Sequence, residues 1–72
     1  MQFRVQDVDL YKGNFMEQIV EADNAVHAVV VFYGDDDVAE FAQKNMKMNS
    51  SGNVNEFVLK GEEQVLLIKQ LL

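Results

Sequence analysis

The sequence contains no cysteine, no proline and no tryptophan. Without cysteine there is no disulfide, no thiolate ligand for a structural zinc ion and no cysteine nucleophile. No apolar run approaches the roughly 20 residues of a membrane-spanning helix. The first ten residues also lack the basic segment followed by an apolar stretch that marks a secretory signal. We therefore expect a soluble cytoplasmic protein that has no membrane partner.

Catalytic motifs are also missing. The sequence has no glycine-rich nucleotide-binding pattern, no HExxH and no GxSxG. The single histidine, His27, lies in an apolar stretch with no serine or cysteine nucleophile near it in the sequence, so it is interpreted as structural. We expect neither enzymatic activity nor a cofactor.

Charge is strongly unbalanced. Twelve acids face six bases, which gives a formal net charge of −6. Residues 13 to 43 contain no lysine or arginine, but they contain seven acids: Glu17, Glu21, Asp23, Asp35, Asp36, Asp37 and Glu40. Such a surface repels nucleic acid and anionic membranes. One strongly acidic flank is therefore predicted, with no direct nucleic-acid binding.

Seventy-two residues form one domain, residues 1–72. Two interpretations of the stretch around its longest apolar run compete. In the first, a strand over Phe15 to Ala22 ends at a helix N-cap, Asp23 or Asn24, and a helix covers Ala25 to Tyr33. Its face would be Val26, Val29, Val30 and Tyr33. In the second, Phe15 to Val20 form the helix and Ala28 to Tyr33 form a buried strand, which three consecutive valines favour.

The remaining segments have clearer signals. Met1 to Tyr11 alternates as a strand, with a phase slip at Gln6-Asp7 that indicates a β-bulge. Turn chemistry follows, with Gly13 able to adopt positive φ. A helix is predicted from Val38 to Met46, with an N-cap among Asp35 to Asp37 and the stripe Val38, Phe41, Ala42 and Asn45. Residues 49–53 form a polar loop, and Val54 to Leu59 and Gln64 to Leu72 form a hairpin.

These segments predict an α+β fold, with a mainly antiparallel, ββαββ-like sheet and one or two helices on one face. The alternative is a thioredoxin-like βαβαββ arrangement, which follows if Ala28 to Tyr33 is a strand. That alternative also predicts a binding module, because no redox cysteine is present.

The acidic run Asp35-Asp36-Asp37 with Glu40 offers clustered carboxylate oxygens, which hard divalent cations prefer as ligands. It lacks the alternating ligands and the distal bidentate glutamate of an EF-hand loop. We therefore predict no metal site and interpret the run as a solvated helix start or an interaction surface. Met46 and Met48 are interpreted as covering the edge of the core.

The junction Ile19-Val20-Glu21-Ala22-Asp23-Asn24-x-x-x-Ala28-Val29, preceded by a predicted hairpin, resembles that of small acidic ββα-type proteins encoded by phages. That group includes anti-CRISPR proteins and inhibitors of host RNA polymerase. The resemblance covers about residues 1–34 in layout. It implies a compact binder that presents carboxylates where a host machine expects phosphates.

The predicted function is thus a small acidic, non-enzymatic protein-binding module that inhibits a host nucleic-acid-handling complex through a carboxylate-rich surface. Its partner would be a protein or nucleoprotein complex with a basic groove. The predicted partner-binding residues are Glu21, Asp23, Asp35, Asp36, Asp37 and Glu40. The alternative is a self-assembling structural subunit, such as a homodimer, which pairs through its C-terminal strand.

Overall fold

The computed structural model describes residues 1–48 and 55–71. Two strands are followed by two helices and three further strands. Their bounds are β1 Gln2–Asp9, β2 Phe15–Glu21, α1 Ala25–Tyr33, α2 Val38–Asn45, β3 Lys47–Met48, β4 Glu56–Lys60 and β5 Gln64–Leu71. The predicted loop 49–53, together with Val54 and Leu72 of the predicted strands, lies outside the described residues.

The five strands form one antiparallel sheet in the order β2-β1-β5-β4-β3. The predicted α+β fold with a mainly antiparallel sheet and helices is confirmed. Strand β5 lies in the middle, hydrogen-bonded to β1 on one side and to β4 on the other. The predicted use of the C-terminal strand as a free pairing edge is therefore wrong, because both edges of β5 are already paired.

Strand β1 is regular. Its partners run without interruption from Gln2 opposite Glu21 to Val8 opposite Phe15, and equally without a break along β5. The β-bulge predicted at Gln6-Asp7 is wrong. The apolar alternation changes phase there because Asp7, and not a hydrophobic residue, takes the helix-side position after Phe3 and Val5.

Helix α1 confirms the first interpretation of the apolar stretch. The Asn24 side chain accepts a hydrogen bond from the His27 N–H at 2.8 Å, and Gly34 ends the helix with φ 69°. The thioredoxin-like alternative is excluded, because Ala28 to Tyr33 is helical and every strand pair is antiparallel.

The buried face of α1 agrees only in part with the predicted one. Of the predicted residues, Val29 is buried and Val26 and Val30 are half-buried, but Tyr33 is 37% exposed. Ala25 and Ala28, which were not predicted, complete the buried face. Alanines form most of this face because small side chains let the helix pack close to the sheet.

Helix α2 lies close to its prediction and ends one residue earlier, at Asn45. Of the predicted stripe, Ala42 is buried and Val38 is half-buried, but Phe41 remains 47% exposed. The predicted aspartate cap is wrong in its chemistry: Asp37 occupies the N-cap position but makes no side-chain cap hydrogen bond.

The core lies between the two helices and one face of the sheet. Its members are the buried Phe3, Val5, Val20, Ala22, Ala25, Ala28, Val29, Ala42, Leu59, Leu66 and Ile68. All of the strand members point to the same side, which leaves the other side of the sheet without a covering layer in the described part of the chain. This asymmetry defines the surfaces available for binding.

Candidate protein-binding surfaces

Glu21 and Asp23 lie where β2 leads into α1. Glu21 is the last residue of β2, and its carboxylate is 2.7 Å from the Met1 ammonium group. Asp23 precedes the N-cap, and its side chain is 93% exposed. Both carboxylates therefore face solvent at the N-terminal end of α1.

His27 is held by the same junction. The Asp23 backbone N–H donates to His27 Nδ1 at 3.1 Å, whereas the Asp23 carboxylate is 3.8 Å from that nitrogen. The shorter contact is the hydrogen bond, and a nitrogen that accepts it carries no proton. In this geometry His27 fixes the backbone before α1 rather than forming an ion pair.

The three aspartates form the turn between the helices. The Asp35 side chain accepts a hydrogen bond from the Asp37 N–H at 2.9 Å, which is an Asx turn, and the Asp36 carbonyl accepts from the Ala39 N–H at 3.1 Å. All three residues are exposed. The turn therefore presents its acids from a hydrogen-bonded backbone.

Glu40 follows in the first turn of α2. Its carboxylate is 3.0 Å from Lys44 Nζ, and the i, i+4 spacing places the two side chains on the same face of the helix. The two side chains are 79% and 70% exposed, so the pair contributes little stability. We name Asp35, Asp36, Asp37 and Glu40 the acidic turn.

The structure does not bring all six predicted residues together. The nine residues of α1, about 13 Å of helix, separate Glu21 and Asp23 from the acidic turn. Within the described ranges, no three acidic, histidine or cysteine side chains are placed to hold a metal ion. The acidic turn is the contiguous part of the predicted flank.

The two sides of the sheet differ in charge. Residues opposite one another on neighbouring strands share a side, and the buried residues identify the helix-covered side. We name the other side the open face. It carries four bases against three acids, a net charge of +1: Arg4, Lys47, Lys60 and Lys69 with Glu17, Glu21 and Glu56.

All other charged residues comprise two lysines and nine acids, a net charge of −7. The excess of negative charge on the molecule therefore resides on its helix side and in its turns. The sequence predicted an acidic flank but not this division, because the division depends on strand register.

The open face also carries an apolar band that the sequence analysis missed. Phe15 and Val8 lie side by side on β2 and β1, Val65 continues their row on β5, and Leu67 and Val58 form the next row. Phe15 is 56% and Leu67 39% exposed. The uninterrupted apolar run Val65 to Ile68 was the available signal, since it places hydrophobic residues on both sides of β5.

Exposed hydrophobic residues are also concentrated on the β1–β2 hairpin. Eleven large hydrophobic residues are exposed in the described part of the chain, and six of them lie within or beside this hairpin. They are Met1, Leu10, Tyr11, Phe15, Met16 and Ile19. Six of the seven residues of the outer strand β2 are exposed, and only Val20 is buried.

A polar cluster joins the C-terminal end of α1 to strands β1 and β5. The Gln64 side chain donates to the Tyr33 hydroxyl, and Tyr33 is hydrogen-bonded to Asp7. Burial, and then the nearby Asp9 carboxylate, raise the pKa of Asp7, and the hydrogen bond with Tyr33 partly opposes this rise. Burial and the charge of Asp7 raise the pKa of Tyr33 to about 12.

A shallow depression of about 570 Å³ lies near the N-terminal end of α1, between the start of that helix and β4. Its lining includes Val26, Met46, Met48 and Phe57. Met46 is half-buried against the core, as predicted, but Met48 is 54% exposed.

Comparison with known proteins gives a single result. No family model, curated protein or solved structure matches this chain. In addition, none of the described helices combines the length and the apolar character needed to cross a membrane. The functional inference therefore rests on the surfaces described above.

Proposed function

We propose that the chain is a small non-enzymatic protein-binding module that acts in the host cytoplasm as an inhibitor of a nucleic-acid-handling complex. The observation that carries the proposal is the acidic turn. Four carboxylates lie within six consecutive residues on an ordered turn, and Lys44 is the one base paired with any of them in the described structure.

The physical mechanism is charge substitution. A groove that binds nucleic acid is lined with lysine and arginine, and a surface bearing several carboxylates can occupy it with fast, electrostatically steered association. Because the Asx turn at Asp35 holds the backbone, little conformational entropy is lost when the turn docks. Glu21 and Asp23 provide a second, smaller acidic contact beyond α1.

A competition assay tests this proposal. Labelled duplex DNA is bound to bacterial RNA polymerase and, separately, guide-matched DNA is bound to a Cas9-type effector, and the chain is titrated in while fluorescence anisotropy is recorded. We expect displacement of DNA from one of the two complexes, weakening as salt rises because charges are screened over about 8 Å at physiological ionic strength.

The decisive variant is D35N/D36N/D37N, which removes three charges but keeps the side-chain oxygen that accepts the Asx-turn hydrogen bond. It should compete at least about tenfold less well. The control is E62Q/E63Q, which removes two adjacent acids from the β4–β5 turn and should compete like the unmodified chain. Failure to displace DNA from both complexes, or equal competition by the triple variant, would contradict the proposal.

A further inference from the structure

The hydrogen bonds to β1 fix which backbone N–H and C=O groups of β2 point to β1 and which point to the outer edge of the sheet. The Ala22 N–H donates to the Met1 carbonyl and the Asp9 N–H donates to the Asn14 carbonyl, both at 2.9 Å. Because hydrogen-bonded pairs alternate along an antiparallel ladder and the register is unbroken, the even-numbered residues of β2 bond to β1. The N–H and C=O groups of Phe15, Glu17, Ile19 and Glu21 therefore point to the outer edge of the sheet.

Apart from the charges of Glu17 and Glu21, the described part of the chain gives this edge none of the usual protection. Outer strands are normally kept from pairing by proline, by lysine, by a bulge or by a covering element. Strand β2 has seven residues, no proline, no base and an unbroken register. Phe15, Met16 and Ile19 on it are 56%, 64% and 57% exposed. An unprotected apolar edge of this length favours the addition of another strand.

We propose that β2 pairs antiparallel with β2 of a second copy of the chain, about a two-fold axis that passes through Gln18. In this register Phe15 lies opposite Glu21 of the second copy, and Glu17 lies opposite Ile19. All four outward-directed residues of each copy are matched, which forms eight hydrogen bonds. The product is a ten-stranded sheet with the helices of both copies on the same side.

Charge compatibility selects this register. A shift of two residues in one direction places Glu17 opposite Glu17, and a shift in the other direction places Glu17 opposite Glu21. Like charges directly opposite one another destabilise a sheet. A shift of one residue mismatches the hydrogen-bonding groups, since only odd-numbered residues present theirs to the edge.

The side chains are complementary in the same register. On the open face, Ile19 of each copy lies diagonal to both Ile19 and Phe15 of the other, within reach of long and aromatic side chains. On the helix side, Met16 lies opposite Val20 and Gln18 lies opposite Gln18. Each of the three exposed hydrophobic side chains of β2 thus gains an apolar neighbour.

The available area is that of a small, weak interface. A large side chain presents roughly 150–250 Å², so the half-exposed Phe15, Met16 and Ile19 offer about 300 Å² per copy. Both copies together with their edge backbone bury roughly 1,000 Å², the lower limit of a specific interface. The expected dissociation constant is therefore of micromolar order, about 10 μM.

Sedimentation equilibrium between about 1 and 500 μM tests the proposal. The chain should pass from monomer to dimer across this range, and at high concentration the amide protons of Glu17 and Ile19 should become protected from exchange. A monomer at every concentration would overturn the proposal and leave the edge to an extended peptide of another protein. Species larger than a dimer would also overturn it.

Substitution at the two-fold axis tests the register. Q18K and Q18E each place like charges opposite one another and should weaken dimerisation at least about tenfold, whereas Q43K makes the same change on α2 and should not. An equimolar mixture of Q18K and Q18E should dimerise again. Dimerisation of Q18K like the unmodified chain, or failure of the mixture to recover, would overturn the axis at Gln18; circular dichroism checks that each variant folds.

Discussion

At the scale of single residues, Asp7 shows how one polar side chain can mislead sequence analysis. It takes a helix-side position on β1 where alternation from Phe3 and Val5 would place a hydrophobic residue, so the sequence indicated a bulge. The structure shows a regular strand in which Asp7 is hydrogen-bonded to Tyr33. A partner 26 positions away along the sequence cannot be recognised from local pattern.

Asp7 gives the first prediction. Because the pKa of Asp7 is raised in the folded chain, the folded state binds the proton more tightly than the unfolded state. This contribution to the free energy of unfolding is present below the ordinary value of 3.8 and is lost as pH rises through the raised pKa. Asn keeps an acceptor for Tyr33, so D7N should gain stability over the unmodified chain as pH rises through that window.

Urea unfolding of both proteins from pH 3 to 7 measures the difference. Y33F serves as the companion variant, since it removes the hydrogen bond that lowers the pKa of Asp7. In Y33F the pKa of Asp7 should rise further, as followed by carbon NMR of its carboxyl group. A D7N curve parallel to that of the unmodified chain would contradict the assignment.

Gly34 gives the second residue-scale prediction. Its φ of 69° lies in the left-handed region, and an added Cβ would meet no atom within 4 Å. G34A should therefore cost about 1 kcal/mol through backbone strain alone. G61A is the control, because Gly61 has no positive φ and its Cβ would make an ordinary contact at 3.4 Å. Equal losses on urea unfolding would show that the cost does not arise from φ.

At the scale of elements, α1 was predicted correctly from its boundaries and not from its interior. Three consecutive valines favour a strand, but Asn24 before the segment and Gly34 after it are helix-ending residues. The valines are accommodated because alanines, not valines, form most of the buried face. The order of strands in the sheet could not be predicted from local sequence signals, because a hairpin specifies only the pairing of two consecutive strands.

The cap of α1 can be tested against that of α2. N24A removes the acceptor of the His27 N–H and should cost about 1 kcal/mol, whereas N24S keeps an acceptor and should cost only a few tenths. D37A should cost less than N24A, because Asp37 makes no cap hydrogen bond and only its interaction with the helix dipole is lost. Thermal and urea unfolding would rank the three; a larger loss in D37A would contradict the assigned caps.

Strand β5 offers a matched pair of adjacent leucines on opposite sides of the sheet. Leu66 is 1% exposed and Leu67 is 39% exposed. L66A should cost roughly 3 kcal/mol because it opens a cavity in the core, and L67A should cost less than about 1 kcal/mol. Equal losses in urea unfolding at low protein concentration would mean that the open face is covered in solution.

At the scale of the whole molecule, the sequence predicted a charge imbalance but not its geometry. The run Asp35 to Asp37 with Glu40 is contiguous in sequence, so its exposed surface could be predicted. Glu21 and Asp23 were grouped with it by composition, and a helix separates them in space. The open face was missed because it becomes visible only when all five strands are placed in register.

The central position of β5 also determines the order of folding events. Strand β1 pairs with β5 through partners as distant in sequence as Gln2 and Leu71, and such non-local pairing closes slowly. We expect folding in the millisecond-to-second range, measurable by stopped-flow refolding. A microsecond rate would contradict this expectation. On the ribosome, Phe3 and Val5 are synthesised long before Leu66 and Ile68, so β1 can pair early with β2 but gains its second neighbour only after residues 64–71 have emerged.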